Sequence, residues 1–217
     1  MWRVWFQNPS RHFFPHHHKT KIKSYFRRTA IKQSLGNKAL IYPQPVLIVA
    51  TYNQDGSANA MNAAWGAVWD YTKISIIIDR NHKTVENLLE KQAFTVSIAD
   101  QDHLVQADYL GIVSGHKVPS KVTSAGLSSS KSATVDAPVI DDFPLTLECR
   151  LVSYNKETEQ AIGEVVNTLA DESILTNGKI DLTKFRPLTY DPMNHHYHVL
   201  GEQVGKAYSD GKKLKTD

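Results

Sequence analysis

A basic turn at residues 80–84 carries the side chains best suited to bind an anion. It consists of Arg80, Asn81, His82, Lys83 and Thr84, and an amphipathic helical pattern follows it directly. The N-terminus of a helix leaves backbone N–H groups unpaired and carries a partial positive charge, so it attracts phosphate. An ordinary solvent-exposed helix start has the same composition, and the turn alone is compatible with both interpretations.

A run of small residues, interrupted by amide, thioether and indole side chains, precedes this turn. Its members are Asn59, Ala60, Met61, Asn62, Ala63, Ala64 and Trp65. Small residues let a backbone approach a flat ring system, and Asn62 and Trp65 can add a hydrogen bond and an aromatic wall. An aromatic ligand that carries a phosphate, such as flavin mononucleotide (FMN), would suit the run and the basic turn together. Packing in a core strand is the commoner fate of alanine and tryptophan.

Several other ligand classes are disfavoured by motif and charge. The sequence lacks both the Gly-x-x-x-x-Gly-Lys-Ser/Thr loop and the Gly-x-Gly-x-x-Gly fingerprint, so a triphosphate or a Rossmann-bound dinucleotide is not supported. The chain beyond residue 35 is slightly acidic and offers no basic face for nucleic acid. It also contains no apolar run as long as a membrane span. We therefore expect neither nucleic acid nor membrane as a partner.

Composition divides the 217 residues into two parts. The first 35 residues contain eight Lys and Arg and no Asp or Glu, together with a histidine run at 16–18. We expect residues 1–34 to be a basic N-terminal extension, either disordered or peripheral, and residues 35–217 to form the folded domain. Three adjacent histidines without further ligands make a weak metal site. The single Cys149 excludes an intrachain disulfide, and we expect a cytoplasmic location.

The pattern of apolar residues predicts a mostly antiparallel β-barrel with a few short helices. Strands are predicted at 46–52, 57–65, 73–79, 93–99, 144–154 and 161–170, with helices at 84–92 and 104–112. Asp55-Gly56 is the strongest hairpin signal, and Asn81 or Thr84 is expected to cap the first helix. Residues 114–137 are expected to form a long surface loop, and the tail at residues 187–200 is expected to hold a last apolar strand. Cys149 falls in the apolar stripe of its strand, which predicts packing rather than catalysis.

A histidine cluster near the C-terminus has its own interpretation. It reads Asn194, His195, His196, Tyr197 and His198. On a strand His196 and His198 share a face, as two metal ligands could. No carboxylate or third histidine is spaced along this strand to complete a site, so no metal is predicted. A solvent-facing strand, or His195 or Tyr197 lining the flavin pocket, is preferred.

Five further motifs carry a resemblance to a known family. They are Tyr42-Pro-x-Pro-Val-x-x-Val-x-Thr-Tyr, Ala60-Met-Asn-Ala-Ala-Trp, Gly111-Ile-Val-Ser-Gly, Phe143-Pro-Leu-x-Leu-Glu-Cys and Leu200-Gly-Glu-x-Val-Gly-Lys-Ala. In this order they resemble the flavin reductase-like, FMN-binding split-barrel family, and its flavoredoxin-like members in particular. The resemblance covers nearly all of residues 34–214.

The resemblance implies an FMN-binding split β-barrel of antiparallel Greek-key type that works as a homodimer, with the flavin near the interface. It implies that residues 59–65 contact the ring and ribityl chain, that residues 80–84 hold the phosphate, and that Ser114 and Gly115 lie close by. The implied activity is that of an FMN-dependent flavin reductase or oxidoreductase. Electrons would pass from NAD(P)H or another donor through FMN to free flavin, iron or a partner. The alternative is a non-enzymatic electron carrier that docks a redox partner.

Two segments depart from the pattern of the family. Many nicotinamide-using members carry Gly-Asp-His where this chain has Lys156-Glu157-Thr158, so the use of NADH or NADPH is left open. Members often have an Arg-Asp…Asp-Lys-Phe run after Ser114-Gly115. Here residues 116–121 read His-Lys-Val-Pro-Ser-Lys, which keeps the positive charge but loses the acid and the aromatic ring.

Overall fold

The computed structural model describes residues 31–215, and antiparallel β-structure dominates them. The strands are β1 (Gln44–Pro45), β2 (Leu47–Tyr52), β3 (Ala58–Ala63), β4 (Gly66–Val68), β5 (Lys73–Ile77), β6 (Ala93–Ile98), β7 (Ser129–Lys131), β8 (Pro138–Ile140), β9 (Leu145–Asn155), β10 (Gln160–Ala170), β11 (Leu175–Thr176), β12 (Lys179–Ile180), β13 (Leu188–Asp191) and β14 (His196–Val199). The helices are α1 (Lys83–Lys91), α2 (Leu104–Ile112) and α3 (Lys121–Ser124), with 3₁₀ turns at Glu172–Ile174 and Asp210–Leu214. The mostly β prediction is confirmed.

The main sheet has seven strands in the order β3-β2-β6-β9-β10-β5-β4, and every neighbouring pair is antiparallel. Its two edge strands, β3 and β4, are consecutive in the chain, and only Ala64 and Trp65 separate them. Three residue steps reach about 11 Å at most. Six strand spacings of a flat sheet would hold the edges about 29 Å apart. The sheet must therefore curl until its edges meet, which gives a half-barrel.

Close packing across the meeting edges confirms the closure. The Ile77 N–H donates a hydrogen bond to the Trp65 carbonyl at 2.8 Å, which extends the β4–β5 pairing into the two-residue link. A side chain at Gly66 would collide with Leu47 of β2. Leu47 lies on the other side of the seam, by which we mean the place where the edges β3 and β4 meet. The hairpin that leads into β3 turns at Gly56, whose φ of +81° favours glycine. Asp55 and Gly56 thus form the turn that the sequence predicted.

Each face of the sheet carries one buried apolar cluster. One cluster joins α2 and α3 to β2 and β3 through Val46, Ile48, Ala60, Leu110 and Val122. The other joins α1 to the opposite face through Val49, Met61, Leu88, Phe94 and Cys149. Cys149 is fully buried, and burial raises the pKa of its thiol to about 12. Its predicted place in the core is confirmed.

Residues 114–137 are not the surface loop that the sequence predicted. They contain α3 and β7, and Val122, Leu127 and Ala137 are buried. The Thr95 hydroxyl donates a hydrogen bond to the Pro138 carbonyl at 2.6 Å, which ties the end of the segment to β6. Its apolar residues follow no period of two or 3.6 because each element is only three or four residues long.

Residues 187–200 hold two strands where the sequence predicted one, because the chain turns back between them and forms a hairpin. Strands β13 and β14 pair antiparallel, and β1 pairs with β13 to complete a second sheet. The turn runs through residues 192–195 and places His195 at a φ of +56°. Asp191 consequently lies opposite His196 in the register.

The described residues from Ala39 onward belong to one unit, and residues 31–38 belong to another. The predicted N-terminal extension and its histidine run at 16–18 lie almost wholly outside the described residues, so the boundary at residue 34 stays a prediction. Within residues 31–215, none of the helices has the length and apolarity needed to cross a bilayer.

Replacing Gly66 by valine should lower the free energy of unfolding by about 1–3 kcal/mol, the usual cost of overpacking an interior. The new side chain would enter the space that Leu47 occupies at the closing seam. Denaturant titration measures the change. Gly201→Val is the matched control, since a Cβ there meets no heavy atom within 4 Å. Equal stability of both variants would contradict a tightly packed seam.

Candidate functional site

Two adjoining cavities lie where β3, the start of α1 and the end of α2 come together. Their volumes are about 430 and 480 Å³, which is in the usual range for small-molecule sites. Both are lined by Met61, Asn62, His82, Gly111 and Ile112, so they are two ends of one cleft. Their other walls differ in chemistry. We call the cavity of about 430 Å³ the ring cavity and the cavity of about 480 Å³ the basic cavity.

The ring cavity has apolar and aromatic walls with an acidic margin. It is completed by Ala63, Ala64, Trp65, Ile77, Ile78, Asp79, Asp108, Glu159, Tyr190 and Tyr197. The chain from Met61 to Trp65 lies along one side and presents backbone and small side chains. A flat ring that has polar edges fits this lining, because apolar faces and scattered hydrogen-bonding groups are both available.

The basic cavity has cationic and hydroxyl-bearing walls. It is completed by Asn59, Lys83, Thr84, Leu110, Val113, Ser114, Gly115 and Lys121. Among the described residues, no acidic side chain lines it. The first turn of α1 also opens there, and its N-cap residue His82 makes no side-chain capping bond. Uncapped N–H groups and two lysines make this cavity suited to an anion.

The start of α1 is held to β3 by one buried hydrogen bond. The Asn59 amide donates to the Thr84 hydroxyl oxygen at 2.9 Å, and both residues are buried. The hydroxyl proton of Thr84 therefore remains available to a ligand. Neither predicted cap of the helix is correct: Thr84 is used in this bond, and the Asn81 amide donates to Asp79 at 2.9 Å.

Gly115 lets the loop after α2 close onto the basic cavity. A Cβ there would collide with the Asn59 amide oxygen and lie 3.2 Å from the Lys83 Cβ. Glycine at this position thus lets the loop approach Asn59 and Lys83 more closely than any other residue could. The neighbouring Ser114 lines the same wall.

Lys121 is a cavity residue that the site prediction missed. Its ammonium group is buried at the end of α2, where it donates to the carbonyls of Leu110 and Val113 at 3.2 and 3.0 Å. Burial lowers its pKa to about 8. The retained positive charge of residues 116–121 was a signal for it, but nothing in the sequence predicted that this lysine is buried.

Tyr197 anchors the second hairpin against α2 at the ring cavity. Its hydroxyl donates to Asp108 at 2.8 Å, and burial together with this bond raises its pKa to about 12. The Asn62 amide beside it donates to the Ala107 carbonyl at 3.1 Å. Tyr197 thus lines the cavity, as one interpretation of the sequence expected. His195 is exposed at the turn and contacts the Tyr190 hydroxyl at 2.7 Å instead.

The structure brings most of the predicted site residues together around the cleft. Those that line it are Asn59, Met61, Asn62, Ala63, Ala64, Trp65, His82, Lys83, Thr84, Ser114 and Gly115. Ala60, Arg80 and Asn81 line neither cavity. Ala60 alternates to the opposite face of β3 and is fully buried in the core. Arg80 points outward and pairs with Glu159 at 3.0 Å.

One more cluster lies on the outer face of the second hairpin. Asp191, His196 and His198 each offer a ligand atom, and these atoms lie within 4.8 Å of one another. Hydrogen bonds from Tyr42, Asn194 and the Met193 N–H hold the pKa of the Asp191 carboxyl well below its usual range. The expectation that no carboxylate accompanies the two histidines is therefore wrong, because the chain turns back at residues 192–195.

Comparison with known proteins identifies the family. A model of the flavin reductase like domain matches residues 39–200. The protein belongs to the flavin reductase-like family. This flavin reductase-like chain is 35% identical to the flavoredoxin of Desulfovibrio vulgaris (Miyazaki F), with a TM-score of 0.80 over 83% of this chain and 100% of that one. It is 28% identical to the flavoredoxin of Methanosarcina acetivorans, with a TM-score of 0.78 over 86% and 100%.

More distant relatives agree with the fold of this flavin reductase-like protein. An FMN-binding domain of a flavin reductases-like enzyme from Shewanella baltica OS155 gives a TM-score of 0.69 at 22% identity, over 75% of this chain and 89% of that one. Uncharacterised proteins of Aquifex aeolicus and Aeropyrum pernix are each 26% identical, over 75% and 70% of this chain. The match spans 88% of the first and 58% of the second. The predicted resemblance and split-barrel fold are confirmed, and the family supports a flavin-related redox function.

Proposed function

We propose that this protein is an FMN-dependent oxidoreductase of the flavin reductase type. The observation that carries the proposal is the cleft with two chemically different ends: an aromatic, apolar cavity joined to a basic one at a helix N-terminus. FMN has the same two parts, a flat ring and a phosphate. The flavin, when bound, supplies the electron transfer itself.

The basic cavity would hold the phosphate. Thr84 offers a hydroxyl proton, Lys83 and Lys121 offer positive charge, and the uncapped first turn of α1 offers backbone N–H groups. The close approach that Gly115 allows would keep the backbone of this loop beside the phosphate, together with Asn59 and Lys83. Arg80, which pairs with Glu159, and Asn81 line neither cavity, so we assign them no direct phosphate contact.

The ring cavity would hold the isoalloxazine against the chain from Met61 to Trp65. Tyr197 remains protonated over the physiological pH range because of its raised pKa, so its hydroxyl is bonded to Asp108 as a donor. Tyr190 and Ile78 complete an apolar wall that excludes water. None of these side chains is required as an acid or base, and their part is to position the ring and set its surroundings.

Exposed apolar side chains beside the ring cavity support a homodimer with FMN near the interface. Val68, Trp69 and Tyr71 are 79, 57 and 107% exposed, and they follow the cavity residue Trp65 along the chain. Ile112, on the opposite wall, is 75% exposed. Clustered apolar surface of this kind marks interaction sites.

A specific observation favours the alternative of a non-enzymatic electron carrier that docks a redox partner. The turn where nicotinamide-using members carry Gly-Asp-His has Lys156-Glu157-Thr158, closed by hydrogen bonds from the N–H groups of Glu157 and Thr158 to Asn155. The next residue, Glu159, lines the ring cavity with a carboxylate. Arg80 pairs with this carboxylate at 3.0 Å, and no residue of the turn is a histidine that could approach a nicotinamide. The proposal retains the expected cytoplasmic location.

The phosphate assignment predicts a difference between FMN and riboflavin. Lys121→Met and Thr84→Val should each weaken FMN binding about 10-fold or more, the value of a hydrogen bond to a charged group. Riboflavin has no phosphate, so its affinity should change about twofold at most on the same reasoning. Fluorescence titration measures both, with Arg80→Gln as the matched control that leaves FMN affinity unchanged. Equal weakening of both flavins, or of neither, contradicts the assignment.

The phosphate assignment also predicts how the affinity for FMN depends on pH. The ligand-free protein loses the Lys121 proton as the pH rises through about 8. Phosphate favours the protonated lysine, so FMN affinity should fall above that pH while riboflavin affinity stays level. Lys121→Met should remove the fall. A fall of the same size in the methionine variant would assign the effect to another group.

The proposed homodimer can be tested by placing charges on the exposed apolar surface that follows Trp65. The double substitution Val68→Glu/Tyr71→Glu should convert a dimer into a monomer, because charges buried without partners are strongly destabilising at an interface. Light scattering gives the mass in solution. Leu182→Glu, at a side chain that is 58% exposed elsewhere, is the matched control. A monomeric parent protein, or a dimer that survives the double substitution, argues against this interface.

Stopped-flow mixing separates the two functions. An oxidoreductase of the flavin reductase type should lose its flavin absorbance when NADH or NADPH is added without oxygen. A carrier should bleach with a chemical reductant but not with either nucleotide. If the turn decides the outcome, Thr158→His should speed reduction by nucleotide, with Thr183→His as the control on another exposed turn. Failure of the purified protein to take up FMN at all would refute both functions.

A further inference from the structure

The outer face of the second hairpin carries two imidazoles and a carboxylate. Asp191 and His196 are cross-strand partners, and His198 pairs with Thr189, two residues before Asp191. Cross-strand partners and alternate residues share a face. All three side chains therefore project together, and their ligand atoms lie within 4.8 Å of one another.

We propose that Asp191, His196 and His198 bind one divalent first-row transition-metal ion, for which Zn²⁺ is the natural probe. Imidazole nitrogen and carboxylate oxygen are ligands that zinc prefers, and three protein ligands leave a position for water. Tetrahedral ligands at the usual zinc distances lie about 3.4 Å apart. The histidine side chains are exposed, so rotation about their own bonds closes the remaining gap.

The carboxylate is already held in place by groups around it. One oxygen of Asp191 accepts from the Tyr42 hydroxyl at 2.5 Å and from the Met193 N–H at 2.9 Å. The other accepts from the Asn194 amide at 2.7 Å. A carboxylate can accept about four hydrogen bonds, so one acceptor direction remains. Oriented carboxylates of this kind are typical of metal sites, where surrounding hydrogen bonds fix the ligand.

The site is independent of the proposed flavin chemistry but shares its hairpin. Tyr190 and Tyr197 alternate with the three ligands along the same strands, and they line the ring cavity. A metal ion on the outer face would join β13 to β14 and so stiffen the wall that these tyrosines form. Metal binding can be measured in protein with or without flavin.

The test is calorimetric titration with ZnCl₂ of the full chain in which His16, His17 and His18 are replaced by alanine. This background removes competition by the histidine run. We expect one equivalent of Zn²⁺, and we expect His196→Gln/His198→Gln to weaken it at least 10-fold. His195→Asn is the matched control: asparagine tolerates the positive φ, and the residue lies outside the cluster, so binding should persist.

A second measurement keeps the test independent of folding defects. Zn²⁺ should raise the melting temperature of the background protein, and it should not raise that of the single variant His198→Ala. Circular dichroism checks that each variant is folded. Absence of zinc binding in the background protein overturns the proposal. Binding that survives in the double glutamine variant overturns it equally, since the ion would then lie elsewhere.

Discussion

The short link between the two edges of the main sheet is the constraint on which the rest of the structure depends. Ala64 and Trp65 alone connect β3 to β4, and a flat seven-stranded sheet cannot be spanned by so few residues. Curling follows, and it brings the first edge strand beside β5 and the turn after it. The flavin-sized cleft exists because this closure places residues 59–65 next to residues 77–84.

Much of the fold and site could be predicted because the signals are local. A continuous apolar run indicated β2, and alternating apolar residues indicated β6 and β9. The Asp55-Gly56 pair indicated the first hairpin, and one-face spacing indicated α1. The cleft residues on β3 and at the start of α1 lie in two short stretches, each with its own chemical character. The assignment of a flavin to them depended on family resemblance, since alanine and tryptophan alone would indicate a core strand.

The features that could not be predicted depend on contacts distant in sequence. Lys121 lies in a polar stretch that looks solvent-exposed, and only the packing of α3 against the end of α2 buries it. Asp191 appeared unrelated to His196 because residues 187–200 were expected to hold only one strand. A turn of four residues reverses the chain and makes them neighbours. The outward direction of Arg80 likewise depends on Glu159, which lies 79 residues further along the chain.

The two edge strands, β3 and β4, also affect the tendency of this protein to aggregate at high concentration. An open sheet presents unpaired N–H and C=O groups along its outer strands, and these can template pairing with another chain. Here one outer strand, β4, is only three residues long, and the other, β3, packs against α2. Neither end offers a long, flat strand to a neighbouring molecule. A short strand at one edge and a covered strand at the other thus protect the chain against edge-to-edge aggregation.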